Sequence, residues 1–212
     1  MNTKNIYLDL LGLVALIVFT IFTFISVAFY PIHYSLIFDW LSNLGNINLN
    51  PVGAMFFNLG CIITGIILIP FILNLYRWKP SEIWSKFLVV LAIILGIFAS
   101  ISLIGVGVFP ETHIKLHVLA ASGVFESLFL IVILMTLALF KNPNFMRAVA
   151  YIGVCAVVFD LLFVILLSLP QYKDLLATFN PVVPIPGLDW AAVFTSLIWI
   201  GALSYNMYKN EV

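Results

Sequence analysis

Four chemically capable side chains fall within seven residues of this chain: Glu111, His113, Lys115 and His117. Glu126 follows nine residues after His117, inside an apolar run. A carboxylate beside an imidazole can move protons or activate a hydroxyl, and two histidines four apart on a helix can give a metal two ligands. At about 100° per helical residue, His113 and His117 share one face whereas Lys115, Ser122 and Glu126 line another. Helical geometry therefore disfavours one metal held jointly by His113, His117 and Glu126. A third ligand would come from Glu111, Asp39 or His33 in the neighbouring loops. The run HIKLH is not the HExxH metalloprotease pattern, because no glutamate follows the first histidine. As catalysts, His113 or His117 would act as base or metal ligand, Glu111 or Asp39 as its partner, and Ser42 as a conceivable nucleophile.

The elements that position these groups are set by composition. Of the 212 residues, 64% are hydrophobic and 8% charged, whereas soluble domains are about 45 to 50% apolar. A water-facing fold of this length could not bury so much apolar surface, but a bilayer accepts it as the outside of a helical bundle. The class is all-α, a polytopic membrane bundle forming one domain. Net charge is zero, so a nucleic-acid partner is not implied. Cys61 and Cys155 both lie in apolar runs and form no CxxC motif, which reads as packing rather than redox chemistry.

Six runs are long enough to cross a hydrocarbon core, which needs about 20 helical residues. Their approximate bounds are 8–30, 51–76, 83–109, 114–140, 145–169 and 188–208. The first is longer than a signal-peptide core and lacks a cleavage site, so it is expected to be retained. Between the first two, Ile32, Leu36, Ile37, Trp40, Leu41 and Leu44 recur at helical spacing, which predicts a short helix lying at the membrane surface. Asn58, Gly60, Thr64 and Gly65 in the second run, with Gly96, Ser100 and Ser102 in the third, predict closely packed helix faces. Pro181, Pro184 and Pro186 forbid a regular helix before the sixth run.

Six spans put both termini on one side. With that side cytoplasmic, its segments hold Lys4, Arg77, Lys79, Lys86, Lys141, Arg147 and Lys209, leaving Lys115 and Lys173 outside. The positive-inside rule therefore turns the Glu111 to His117 cluster away from the cytoplasm, in a cell membrane. From the helical rise, Glu126 lies roughly 18 Å and Asp160 roughly 15 Å below the outer surface. Carboxylates at that depth must be protonated, paired or beside a wet cavity. The expectation is that both face an outward pocket, lined also by Asn58 and His117.

SNLG at Ser42 to Gly45, NPVGAMFFNLG at Asn50 to Gly60, and GVFPETHIKLH at Gly107 to His117 carry a likeness over nearly the whole chain. In these motifs and their order the chain resembles a microbial family of six-span membrane proteins known only as a domain of unknown function. It is more distantly similar to the superfamily that holds autophagy-modulating membrane proteins and a GPI-lipid-remodelling factor. The resemblance implies a six-helix bundle with polar residues gathered at one end, and no reaction.

Each of these residues also has a structural reading. His113 and His117 could bond headgroups or loop carbonyls, Glu126 and Asp160 could be protonated glue between helices, and Ser42, Asn43 and Gly45 could simply stop a helix. Three functions stay open: a pocket for a lipid headgroup or small amphiphile, an outer-leaflet lipid-modifying enzyme, and a structural or regulatory subunit. Membrane lipids are the expected partners, with a membrane-protein partner or a second copy under the last reading. The sequence implies no specific cofactor.

Overall fold

The computed structural model describes residues 5–78, 80–140, 142–168 and 185–210. Among these residues there is no strand, and six helices are long and apolar enough to cross a membrane. They are α1 (Ile6–Ala28), α2 (Ala54–Asn74), α3 (Ile83–Val108), α4 (Ile114–Leu139), α5 (Arg147–Ser168) and α6 (Ile185–Lys209). The chain is thus an all-helical integral membrane protein. α6 starts with Pro186 in its first turn, where a missing N–H removes no helical bond. Pro181, Pro184 and Lys173 lie outside the described residues.

The helices form a ring in chain order. α1 packs on α2, α2 on α3 and α3 on α4; α5 packs on α6, and α6 closes the ring on α1. The α4–α5 contact is thinner than its neighbours on either side. Ala15, Phe71, Met135, Trp199 and Leu203 fill the ring over much of its length. Close approach depends on glycine where α2 meets α3: a Cβ on Gly65 would stand 2.7 Å from the Ser100 carbonyl oxygen, and one on Gly96 2.7 Å from Ile72. Gly65 and Gly96 thus serve the α2–α3 contact, whereas Gly60 meets Phe22 of α1 and Ser102 meets Gly123 of α4.

A polar knot ties each end. At one, Arg77 pairs with Asp9 at 2.9 Å, the Asn74 amide donates to the same Asp9 oxygen at 2.7 Å, and Ser204 donates to the Asp9 carbonyl at 2.5 Å. This joins α1, α2 and α6 around a carboxylate that is only 1% exposed. At the other end the fully buried Asn50 donates to the Ser26 carbonyl and to the Leu44 carbonyl, and its own carbonyl accepts the Gly53 N–H.

The surface helix expected between α1 and α2 does not form. Residues 31–40 are irregular chain with one turn at 36–38, followed by a single 3-10 turn at Leu41–Gly45. Two causes are visible. The Asp39 carboxylate accepts the Ser35 N–H at 2.8 Å, and the Tyr34 hydroxyl donates to the Trp40 carbonyl at 2.7 Å, so side chains take backbone groups a helix would use. Leu41 and Leu44 turn inward and are buried, while Ile32 and Phe38 point outward, so the apolar residues do not share one face.

Candidate functional site

A cavity of about 480 Å³ lies inside the ring, and every helix contributes to its wall. That volume falls within the range of small-molecule sites. Its floor is apolar: Phe19, Leu68, Ala99, Leu128 and Ile200. Its polar side chains gather at the Asn50 end of the bundle, where Ser42, Glu111, His117 and Asp189 line it, with Glu126 further along α4.

His117 is the best-positioned of the sequence candidates. It sits one turn into α4, is 6% exposed, and its Nδ1 lies 2.9 Å from the carbonyl oxygen of Phe109. A carbonyl only accepts, so Nδ1 carries the hydrogen. In the neutral ring Nε2 is then the basic nitrogen, and among the described residues no hydrogen bond engages it. Glu111, half-buried in the turn before α4, accepts the Asn46 amide at 3.1 Å. His113 is exposed, and its one polar contact among the described residues is with the neighbouring Thr112 hydroxyl. Among the described residues no three His, Cys, Asp or Glu side chains are grouped to hold a metal, so the ligand set drawn from His113, His117, Glu111, Asp39 and His33 does not come together.

The paired intramembrane acids part company. Glu126 lines the cavity and is exposed. It lies nine residues from His117, hence about 180° around α4, on the opposite side of the helix from the imidazole. Asp160 does not line the cavity. It is 1% exposed, and one of its oxygens accepts the Ser196 hydroxyl across the α5–α6 contact at 3.4 Å. Asn58 is also outside the lining; its amide donates to the Gly45 carbonyl at 3.1 Å and fixes the 3-10 turn to α2. A Cβ on Gly45 would collide with the Asn58 side chain, which explains the glycine of SNLG.

Asp189 was not singled out from the sequence. It is 6% exposed, lines the cavity and accepts the Leu41 N–H at 3.1 Å. An acid one turn into an apolar helix demands a partner, but in the sequence Asp189 falls at the edge of the sixth apolar run and looks like a boundary residue. Tyr34 lies outside the helices, and burial foremost, then the Asp39 and Asp189 carboxylates, raises its phenol pKa, so it stays a protonated donor to Trp40.

The exposed part of the cavity lining lies on α4 and α5. Lining residues on α1, α2, α3 and α6 such as Phe19, Cys61, Val106 and Leu197 are buried. Those with large exposure, Ile114, Val118, Val164 and Leu167, belong to α4 and α5, at the ring's thinnest contact.

Six apolar helices packed in a ring define the class: a multi-pass integral membrane protein. A family model described as "Protein of unknown function (DUF998)" matches residues 13–206, and the chain belongs to that family. No curated protein and no solved structure matches it.

Proposed function

We propose that this protein holds a lipid or small amphiphile in the central cavity, hydrocarbon on the apolar floor and head among Ser42, Glu111, His117 and Asp189. The single observation that carries this reading is the make-up of the cavity: apolar within, polar at one end, with its exposed lining on α4 and α5, the side from which acyl chains would enter. Entry from that side suits a molecule that never leaves the membrane, since its tail exchanges one apolar surrounding for another. The distribution of Lys and Arg supports a cell-membrane protein whose His117 end faces away from the cytoplasm.

The test is to fill the cavity. Ala121 lines it, and Ala121→Trp should expel amphiphile that co-purifies with the parent, as read by mass spectrometry of solvent extracts. An unchanged amount of bound amphiphile in the folded variant would sink the reading.

A second reading is favoured by the fixed tautomer of His117. With Nδ1 held by Phe109, Nε2 could serve as general base toward a hydroxyl of the bound amphiphile or of Ser42, which lines the same cavity. Turnover of labelled lipids by the parent, abolished in His117→Gln, would establish it. No turnover by the parent across lipid classes would remove it.

A further inference from the structure

The amphiphile reading leaves the head of the ligand open, and the polar end of the cavity restricts it. We infer that the head is a cation, an ammonium group carried on a hydrocarbon chain. This inference rests on the reading above and adds the charge of the ligand.

Charge is the first observation. Glu111, Glu126 and Asp189 line the cavity, and no Lys or Arg among the described residues does. Lys115, on the same helix as Glu126, is exposed and outside the lining. A phosphate or sulfate head would therefore face carboxylates with no basic group to receive it, and like charges brought together in a membrane interior repel strongly.

The second observation is which atoms are available. Asp189, more than nine-tenths buried, commits one oxygen to the Leu41 N–H, and among the described residues its other oxygen accepts no hydrogen bond. Glu111 likewise commits one oxygen, to Asn46. His117 presents an acceptor nitrogen. Beside the Ser42 hydroxyl, the uncommitted polar atoms at the mouth are thus mainly acceptors, complementary to N–H donors or to a positive head.

Third, an aromatic wall stands beside the acids. Trp40, Phe125 and Phe163 line the cavity; the Phe163 ring lies 6.3 Å from Trp40 and 4.7 Å from Phe125 between centroids. Trp40 immediately precedes Leu41, whose N–H is bound to Asp189, so ring wall and carboxylate adjoin. Aromatic faces beside carboxylates are what recognise ammonium ions. Glu126, exposed on α4 and also in the lining, extends the acidic wall away from Asp189 toward the exposed part of the cavity.

The experiment uses the full chain in nanodiscs of digalactosyl diacylglycerol, a lipid with neither charge nor ammonium, with empty discs as background. Four probes of one chain length are titrated: dodecyltrimethylammonium, dodecylphosphocholine, dodecyl maltoside and dodecyl sulfate. The trimethylammonium probe should bind at least about tenfold more tightly than the maltoside or the sulfate. That preference should fall severalfold in Asp189→Asn, which keeps an oxygen for the Leu41 N–H, and separately in Glu126→Gln, at an exposed side chain that makes no hydrogen bond among the described residues. Dodecylphosphocholine binding as tightly as the trimethylammonium probe assigns the cation to a zwitterionic lipid head; weaker binding assigns it to a free cationic amphiphile. Equal affinity for all heads, or preference for sulfate, overturns the inference while leaving the amphiphile site standing. If no probe binds above empty discs, both fail together.

Discussion

His117 on α4 and Phe109 at the end of α3 are joined across the turn between them, Nδ1 to carbonyl oxygen at 2.9 Å. The bond occupies a carbonyl near a helix end that the helix itself cannot use, and it sets which imidazole nitrogen is basic. One contact therefore both folds the α3–α4 corner and prepares the group that faces the cavity. His117→Leu should leave the Phe109 carbonyl unpaired and cost about 1 to 3 kcal/mol, seen as a lower midpoint of thermal unfolding in detergent. It should also weaken amphiphile binding. A variant with parental stability would show that the bond is dispensable.

Asn50 should be among the least replaceable residues. Its amide nitrogen lies within bonding distance of the Ser26 carbonyl, the Ser26 hydroxyl and the Leu44 carbonyl, while its oxygen takes the Gly53 N–H. Asn50→Asp keeps the acceptor and loses every donor, placing a charge against two carbonyls. It should be at least as damaging as Asn50→Ala, each costing about 2 kcal/mol or more. Thermal melts of the two variants check the order, and a mild Asn50→Asp would contradict the donor pattern.

The Asp9–Arg77 pair predicts a non-additive response. Arg77→Met alone leaves a buried carboxylate without its cation and should cost about 3 to 5 kcal/mol. The double variant Asp9→Leu with Arg77→Met should recover a large part of that loss, because no charge is then stranded. A double-variant cycle on unfolding midpoints measures the coupling. Strictly additive losses would mean that the pair is not coupled.

Gly65 should not tolerate even one methyl. Its Cβ would meet the α3 backbone at Ser100 and not a side chain that could swing away. Gly65→Ala is expected to cost about 1 to 3 kcal/mol by forcing α2 and α3 apart. Parental stability would require α2 and α3 to separate without loss.

Orientation can be checked chemically. Thr112 is exposed in the turn before α4. In a Cys155→Ser background, Thr112→Cys should react with a membrane-impermeant maleimide in intact cells, whereas Ser85→Cys, beside Lys86 at the opposite end, should react only after lysis. The reverse pattern would invert the assigned topology.

Much of the architecture was legible because a bilayer imposes one rule on every residue it touches. Runs such as those around Ile93 and Leu134 had to be helices, since only a helix satisfies its own backbone in hydrocarbon. The segment from Pro31 to Asn50 was misread for the complementary reason. Near the surface water competes, and spacing alone could not reveal that Asp39 and Tyr34 take backbone groups or that Leu41 and Leu44 turn inward.

The sequence by itself determined that the chain crosses a membrane with six helices, because hydropathy and length act locally and add along the chain. It also marked the Glu111 to His117 turn, because charge is rare in such a chain. Only the tertiary structure decided which of those groups meet. Asp160 turns to Ser196 between helices while Glu126 lines the cavity, and Asp189 reaches Leu41 across 148 positions of sequence. The reason is physical: every outward apolar face is equivalent to lipid, so rotation and partner of each helix are fixed by packing and hydrogen bonds between distant segments, which no local pattern encodes.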